Sequence, residues 1–385
     1  MAHKLKWLRK LTKQKNITLV FVCLFAVVGL ALLLNTHAAG PTVAFEPENG
    51  SVSSPAIKGT DSTSSAGGFV QFKKASTGFV TVCGTKLCLG GASWTMYGGS
   101  IYGYQSDTTG RISLAVQEKL NTVRITNMLN ESSTDLTNAP YDATKWAKVD
   151  AAIAAAHTAG LKVILDLSSY RNLYKNNGQN PYTLDWQSFV QWVANRTNTV
   201  SGLQYKNDPT IAIIAIAGEV DAVNATSATG PTTTQQLIDF YSRTISEVHA
   251  ADPNHLVSEG GLLQYSWNSG IDWRSIFALS GNNVPAIHVY SSADEAYVPT
   301  IASYTASINK PWITEETGFD QTVGDSTRAA DFQRVYTLFA TNHAAGVAFW
   351  NVGTEVIGMN GKTSTYDVNS STPLTFGVVQ SNAPN

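Results

Sequence analysis

Acidic side chains at the ends of two apolar runs carry the first chemical signal in this sequence. Tyr205–Val220, YKNDPTIAIIAIAGEV, passes from an Asp-Pro turn through an unbroken string of Ile and Ala to Glu219. Pro311–Gly318, PWITEETG, is a second apolar run, and it closes on Glu315 and Glu316. A carboxyl that holds its proton and another that stays ionised can together cleave a glycosidic bond, the first releasing the leaving oxygen and the second attacking the anomeric carbon. A separation of about 5–5.5 Å between them would mark a retaining reaction. Apolar surroundings and a nearby negative charge are expected to keep Glu219 protonated. Adjacent strand residues face opposite ways, so Glu315 and Glu316 are rivals for the second role.

Those acids need a scaffold that delivers them to one place. Short Ile- and Ala-rich runs bounded by turn residues read as strands buried on both faces, as in a parallel sheet. Six further runs share the pattern, beginning with Met96–Ser100, Thr122–Asn127 and Lys162–Ser168 and continuing with Leu256–Gly260, Pro285–Tyr290 and Gly346–Trp350. Helical periodicity separates several of them, at Asp142–Thr158, Trp186–Val200, Thr234–Ala250 and Ser326–His343. Eight strands alternating with helices or crossover loops predict an α/β fold, a (β/α)₈ barrel over residues 78–385, whose strand tips share one face. Ahead of the first strand, Phe79–Leu89 alternates around Gly84-Thr85-Lys86-Leu87 and reads as a hairpin closing the bottom of the barrel. Cys83 and Cys88 bracket that turn and are disulfide candidates, with two reduced, buried thiols as the alternative.

The first 39 residues are of another kind. MAHKLKWLRKLTKQK holds six Lys and Arg and no acid, and the apolar run Ile17–Leu34 follows. That is a charged region and hydrophobic core of an export segment, either a signal peptide cleaved after Ala38 and Ala39 or a retained membrane anchor. Cys23 lies inside the run, away from any cleavage point, which argues against lipid modification. Residues 40–77 are rich in Ser, Thr and Gly and read as a linker. The exported body is expected to be secreted or held on the outer face of the cell membrane. Without the six cations of the leader, 20 basic and 28 acidic side chains leave a net charge of −8. Such a balance argues against nucleic acid, and leaves the N-terminal segment as the only membrane contact.

Other chemistries lack their signatures. No Gly-x-Gly phosphate turn follows a strand, no Gly-x-Ser-x-Gly elbow occurs, and the seven His residues show no metal-ligand spacing. The expectation is catalysis without metal or cofactor.

At the strand ends the chain resembles glycoside hydrolase family five, whose retaining members include β-mannanases and cellulases. YKNDPTIAIIAIAGE is similar to the segment that ends there in Asn-Glu-Pro, KPWITEETG to the nucleophile strand, and FVTVCGTKLCLGGASWTMYG to the mannanase hairpin and first strand. The resemblance implies that Glu219 is the acid/base and Glu316 the nucleophile. It further implies that Arg124 holds the nucleophile, that His288 and Tyr290 form the strand-six pair, and that Trp350 is the platform beneath the sugar. Gly218 stands where the family has an Asn that bonds the sugar 2-hydroxyl, Val220 where it has Pro, and Ser168 where many members have a sugar-binding His. Trp94, Tyr97, Tyr170, Trp267 and Trp273 are further aromatic candidates, each expected to pack in the protein rather than stack on sugar. The function so implied is hydrolysis of a β-linked polysaccharide by a monomer. The alternatives are a catalytically inactive glycan-binding barrel at the cell surface, to which the three departures point, and a transglycosylase.

Overall fold

In the computed structural model the described residues are 56–60 and 68–72 along the backbone, and 78–262 and 270–384 throughout. The export segment, with Cys23, and Trp267 lie outside them. Strands β1 (Ala56–Thr60) and β2 (Gly68–Phe72) form a two-stranded sheet by themselves, inside the stretch that composition marks as linker.

The body begins with an antiparallel three-stranded sheet, β3 (Val80–Cys83), β4 (Lys86–Leu89) and β5 (Ala92–Trp94). Cys83 and Cys88 are joined by a disulfide. Eight parallel strands follow: β6 (Met96–Ser100), β7 (Thr122–Ile125), β8 (Lys162–Asp166), β9 (Ile211–Ala215), β10 (Leu256–Ser258), β11 (Ala286–Val289), β12 (Ile313–Thr317) and β13 (Gly346–Phe349). They pair in the order β10-β9-β8-β7-β6-β13-β12-β11. Leu262, set off from β10 by Gly260 and Gly261, bridges to Ile287 of β11, so the eight strands form a nearly closed barrel. All eight expected strands are present.

Helices cover the barrel at α1 (Thr108–Gln117), α2 (Ala143–Thr158), α3 (Ser168–Asn176), α4 (Gln187–Asn195), α5 (Thr234–Ala251), α6 (Trp273–Ala278), α7 (Ser292–Ser307), α8 (Asp325–Thr341) and α9 (Pro373–Ser381). Several expected boundaries shift by a residue or two, and two shifts have a local cause. The helix predicted from Trp186 to Val200 stops at Asn195, where Arg196 turns to an extended conformation to pair with Asp150. The third strand ends at Asp166 and Ser168 opens α3 instead, because the Asp166 carboxylate accepts from the Ser168 N–H and starts a turn.

A large apolar cluster lies between barrel and helices. A smaller one draws Met96, Ile164, Ile213, Leu256, Ala286, Ile313 and Ala348 from seven of the eight strands, and therefore fills the barrel interior. Val80 and Leu87 of the hairpin belong to it, which seats the three-stranded sheet against the N-terminal end of the barrel, as the hairpin reading expects. The opposite end, beyond the C-terminal tips, is left to polar side chains.

Candidate active site

Glu219 stands just past β9. Parallel pairing continues beyond the strand, with the N–H groups of Ile216, Ala217 and Glu219 bonded to the carbonyls of Ser258, Glu259 and Gly261. Glu219 then takes a left-handed backbone, φ +52°, which aims its side chain into a cavity of about 450 Å³. Gly218 is bare for a packing reason, since a Cβ there would sit 1.9 Å from the Gly260 carbonyl oxygen. An Asn at this position cannot share the site with the backbone crossing as it stands. Val220 is fully buried in the core.

Glu315 and Glu316 are set apart by an irregularity in the sheet. Ile287 and His288 of β11 pair with Thr314 and Glu316 of β12, so Glu315 is the extra residue of a β-bulge. The bulge turns both acids inward, which strict alternation does not allow. Glu316 lines the cavity, whereas Glu315 is fully buried and lies beneath it, 3.8 Å from Arg124 Nε and 4.0 Å from His288 Nε2.

Arg124, at the end of β7, spreads its guanidinium under the cavity. Nη1 donates to Glu316 Oε1, Nη2 to Asp166 Oδ2 at 2.5 Å, and Nη1 also reaches Ser100 Oγ at 3.3 Å. Tyr290 donates its hydroxyl to Glu316 Oε2 at 2.7 Å, so each oxygen of that carboxylate has a donor. His288 Nδ1 lies 2.8 Å from Glu219 Oε1 and 3.7 Å from Glu316 Oε2. One oxygen of each of these two acids and a ring nitrogen of His288 fall within 4.8 Å of one another. Every residue singled out from sequence in the core of the site is therefore brought to one cavity: Glu219, Glu316, Arg124, Ser168, Gly218, His288, Tyr290 and Trp350 all line it.

The family description Cellulase (glycosyl hydrolase family 5) matches residues 81–356. The chain belongs to glycosyl hydrolase family 5. A protein of Oryza sativa subsp. japonica named "Putative mannan endo-1,4-beta-mannosidase 9" is 27% identical over 354 residues, covering 77% of this chain and 85% of its own. Among solved structures, the endo-1,4-beta-mannanase of Rhizomucor miehei superposes with a TM-score of 0.66 at 22% identity, over 79% of this chain and 99% of the other. The endo-beta-1,4-mannanase of Thermotoga petrophila gives 0.62 at 18% identity, over 76% and 77%. At these identities the two structures show a shared barrel.

Electrostatics of this family 5 site depart from the expectation that Glu219 is protonated at rest. Desolvation alone would raise its pKa, but the hydrogen bond and charge of His288, then the charges of Arg124 and Arg171, outweigh it and hold the group at about 2. Burial would lower His288, yet the charge of Glu316 and the bond to Glu219 lift it to about 10. Both shifts run the same way, favouring an ionised Glu219 and a protonated His288 whose Nδ1–H donates to Glu219. Burial likewise opposes the charge of Arg124, while Asp166, Glu316 and Glu315 overcome that and raise its pKa. Desolvation, followed by the charge of Glu316, raises Tyr290 and keeps its hydroxyl a donor. His288 depends in turn on Gly261, whose φ is +89° and where a Cβ would stand 2.3 Å from the ring Nε2.

Ser168 faces the cavity but is already engaged. Its hydroxyl donates to Asp166 Oδ1 at 2.5 Å and accepts from the Gly218 N–H at 3.3 Å. Asp166 itself is missing from the residues singled out by sequence, although DLSSY shows an acid at a strand end. Trp350 lines the cavity after β13, next to a cis peptide bond with Asn351, and Tyr102 lies against it with ring centroids 5.3 Å apart. Tyr102 is half exposed, an aromatic face at the cleft that spacing did not reveal because it belongs to the loop after β6. Asn127, Glu131, Arg171, Asn172 and Tyr366 complete the polar wall. Of the other aromatic candidates, Tyr97, Tyr170 and Trp273 are buried in packing, as expected. Trp94 lines a separate, larger hollow of about 590 Å³ beside the hairpin, far from the acids. Size therefore does not identify the site; convergent charge does. Among the described residues, the one grouping with donors close enough to ligate a cation is the Glu219–His288–Glu316 trio, in which His288 Nδ1 bonds Glu219 while Glu316 accepts from Arg124 and Tyr290.

Proposed function

We propose that this chain is an exported retaining endo-β-glycosidase, with β-1,4-linked polysaccharide of the mannan type as its first candidate substrate and cellulose-type glucan as the second. Its carrying observation is the trio of donor atoms from Glu219, His288 and Glu316 within 4.8 Å on the floor of an open cavity. That spacing suits a double displacement, in which two carboxyl groups stand about 5–5.5 Å apart. Mannan is favoured because the three relatives described above bear mannanase or mannosidase names. Export rests on the cationic and apolar character of the first 39 residues.

In the first step Glu316, held by Arg124 and Tyr290, attacks the anomeric carbon while a proton reaches the leaving oxygen through Glu219. The proton begins on His288 Nδ1 and crosses the existing 2.8 Å hydrogen bond to Glu219 Oε1. Forming the glycosyl ester neutralises Glu316, the largest influence raising His288, so the ring gives up its proton as the bond to the leaving group breaks. In the second step Glu219 takes a proton from the water that attacks the ester, the sugar leaves with retained configuration, and Glu316, again a carboxylate, draws that proton back across the hydrogen bond to His288. Trp350 and Tyr102 offer faces to the C–H surface of the sugar.

The decisive experiment is a panel of β-mannan, cellulose, xylan and β-glucan assayed for new reducing ends. Glu316→Gln is expected to abolish hydrolysis of aryl β-glycosides. Glu219→Ala is expected to slow poor leaving groups about 100-fold or more while sparing activated ones. Binding to a polysaccharide without new reducing ends would instead support an inactive glycan-binding barrel.

A further inference from the structure

We propose that helix α3 is a clamp on the acid/base segment and that Arg171 is its positioning residue, gripping the Gly218 carbonyl so that Glu219 keeps its left-handed backbone. This rests on the reading of Glu219 as the acid/base.

Three facts meet at Gly218. A side chain is forbidden there by the Gly260 carbonyl, so the residue before Glu219 has no anchor of its own. Glu219 sits at φ +52°, a region that residues with a Cβ enter only when their surroundings hold them. Both backbone polar groups of Gly218 are taken by α3, the N–H by Ser168 Oγ at 3.3 Å and the carbonyl by Arg171 Nη1. One turn further on, Lys175 Nζ bonds Asp221 Oδ1 at 2.6 Å. Positions 168, 171 and 175 lie on one helix face by their spacing, and all three point at the Gly218–Asp221 segment.

Arg171 is built to hold position. It is buried, and its Nε and Nη2 fork onto Asn172 Oδ1 at 3.1 and 2.9 Å, which fixes the guanidinium plane while Nη1 reaches Gly218. Asn172 Nδ2 reaches Glu131 Oε1 at 3.2 Å and ties this fork to the loop after β7. The clamp thus links the loops after three consecutive barrel strands, β7, β8 and β9. None of these contacts requires substrate, so the acid/base is placed before sugar arrives.

The test compares wild type, Arg171→Met, Arg171→Lys, Ser168→Ala and Glu219→Ala on aryl β-mannobiosides with leaving groups from dinitrophenol to phenol, with thermal melting as the folding control. A misplaced acid/base should show as leaving-group dependence. Arg171→Met is expected to lose roughly 10–100-fold in kcat/KM on the phenyl substrate and less than about 3-fold on the dinitrophenyl one. Arg171→Lys, which retains one donor, is expected to recover most of that loss, and Ser168→Ala to show the same pattern more weakly. Equal losses on all leaving groups, or a change in KM alone, would overturn the proposal by making Arg171 a substrate contact or a support for folding. If Arg171→Met does not fold, Arg171→Lys and Ser168→Ala still decide the question by the same slope. Should Glu219→Ala itself show no leaving-group dependence, the acid/base reading fails first. If it does and the α3 variants do not, only the clamp fails.

Discussion

At the residue scale, the site is governed by a proton shared between Glu219 and His288. With Glu219 near 2 and His288 near 10, the pair holds one proton across the interval between those values. General acid catalysis needs that proton, so the alkaline limb of kcat/KM should appear only as pH approaches the upper value. His288→Gln removes the cation that depresses Glu219, and the remaining proton then belongs to a carboxyl alone. The alkaline limb is expected to move down by more than one pH unit, measured across the full profile on a substrate with a poor leaving group. An unchanged limb would mean that another group supplies the proton. Glu315→Gln gives a second check, because Glu315 lies beneath the cavity and touches no space open to sugar. It is expected to retain measurable turnover where Glu316→Gln retains none. Glu219, Arg124, Tyr290 and Trp350 were legible in the sequence because each stands at or just past the C-terminal end of an apolar run and falls on the family pattern. The inward turn of Glu315 was not, since a bulge is set by pairing with β11, and neither was the resting place of the proton, which depends on charges from three strands.

At the scale of elements, the loops beyond β9 and β10 decide whether Glu219 and His288 can coexist. Gly260 and Gly261 let the two chains cross, and a Cβ at Gly261 would enter the His288 ring. Gly261→Ala should therefore lower kcat about 10–100-fold, the scale expected for an ångström of misplacement, together with a loss of about 1–3 kcal/mol in stability. Gly178→Ala is the control: its φ is +74°, so backbone strain is comparable, yet nothing lies within 4 Å and turnover should hold. Kinetics and melting of the two variants separate strain from displacement. The eight strands were readable because buried parallel strands are nearly continuous apolar runs. Helix α3 was not, because SSYRNLYKN is short and mostly polar in composition, spending its polar residues on neighbouring loops, so it reads as part of a loop after the strand.

At the scale of the whole molecule, chemistry and closure lie at opposite ends of the barrel. Val80 and Leu87 seal the N-terminal end against Met96, Leu256 and Ile313, and the Cys83–Cys88 disulfide ties only the tip of that hairpin. A loop this short restricts the unfolded chain by about 2 kcal/mol. Cys83→Ser with Cys88→Ser is expected to lower Tm by roughly 5 °C and leave kcat/KM unchanged. A fall in activity with little change in Tm would mean that the two ends are coupled. The most direct test of a covalent route through Glu316 is mass spectrometry of the intact protein after exposure to 2-deoxy-2-fluoro-β-mannosyl fluoride, followed by peptide mapping of the adduct. One added sugar located on Glu316 is the expected result; a label on Glu315 or Glu219, or an active enzyme that takes no label, would contradict it.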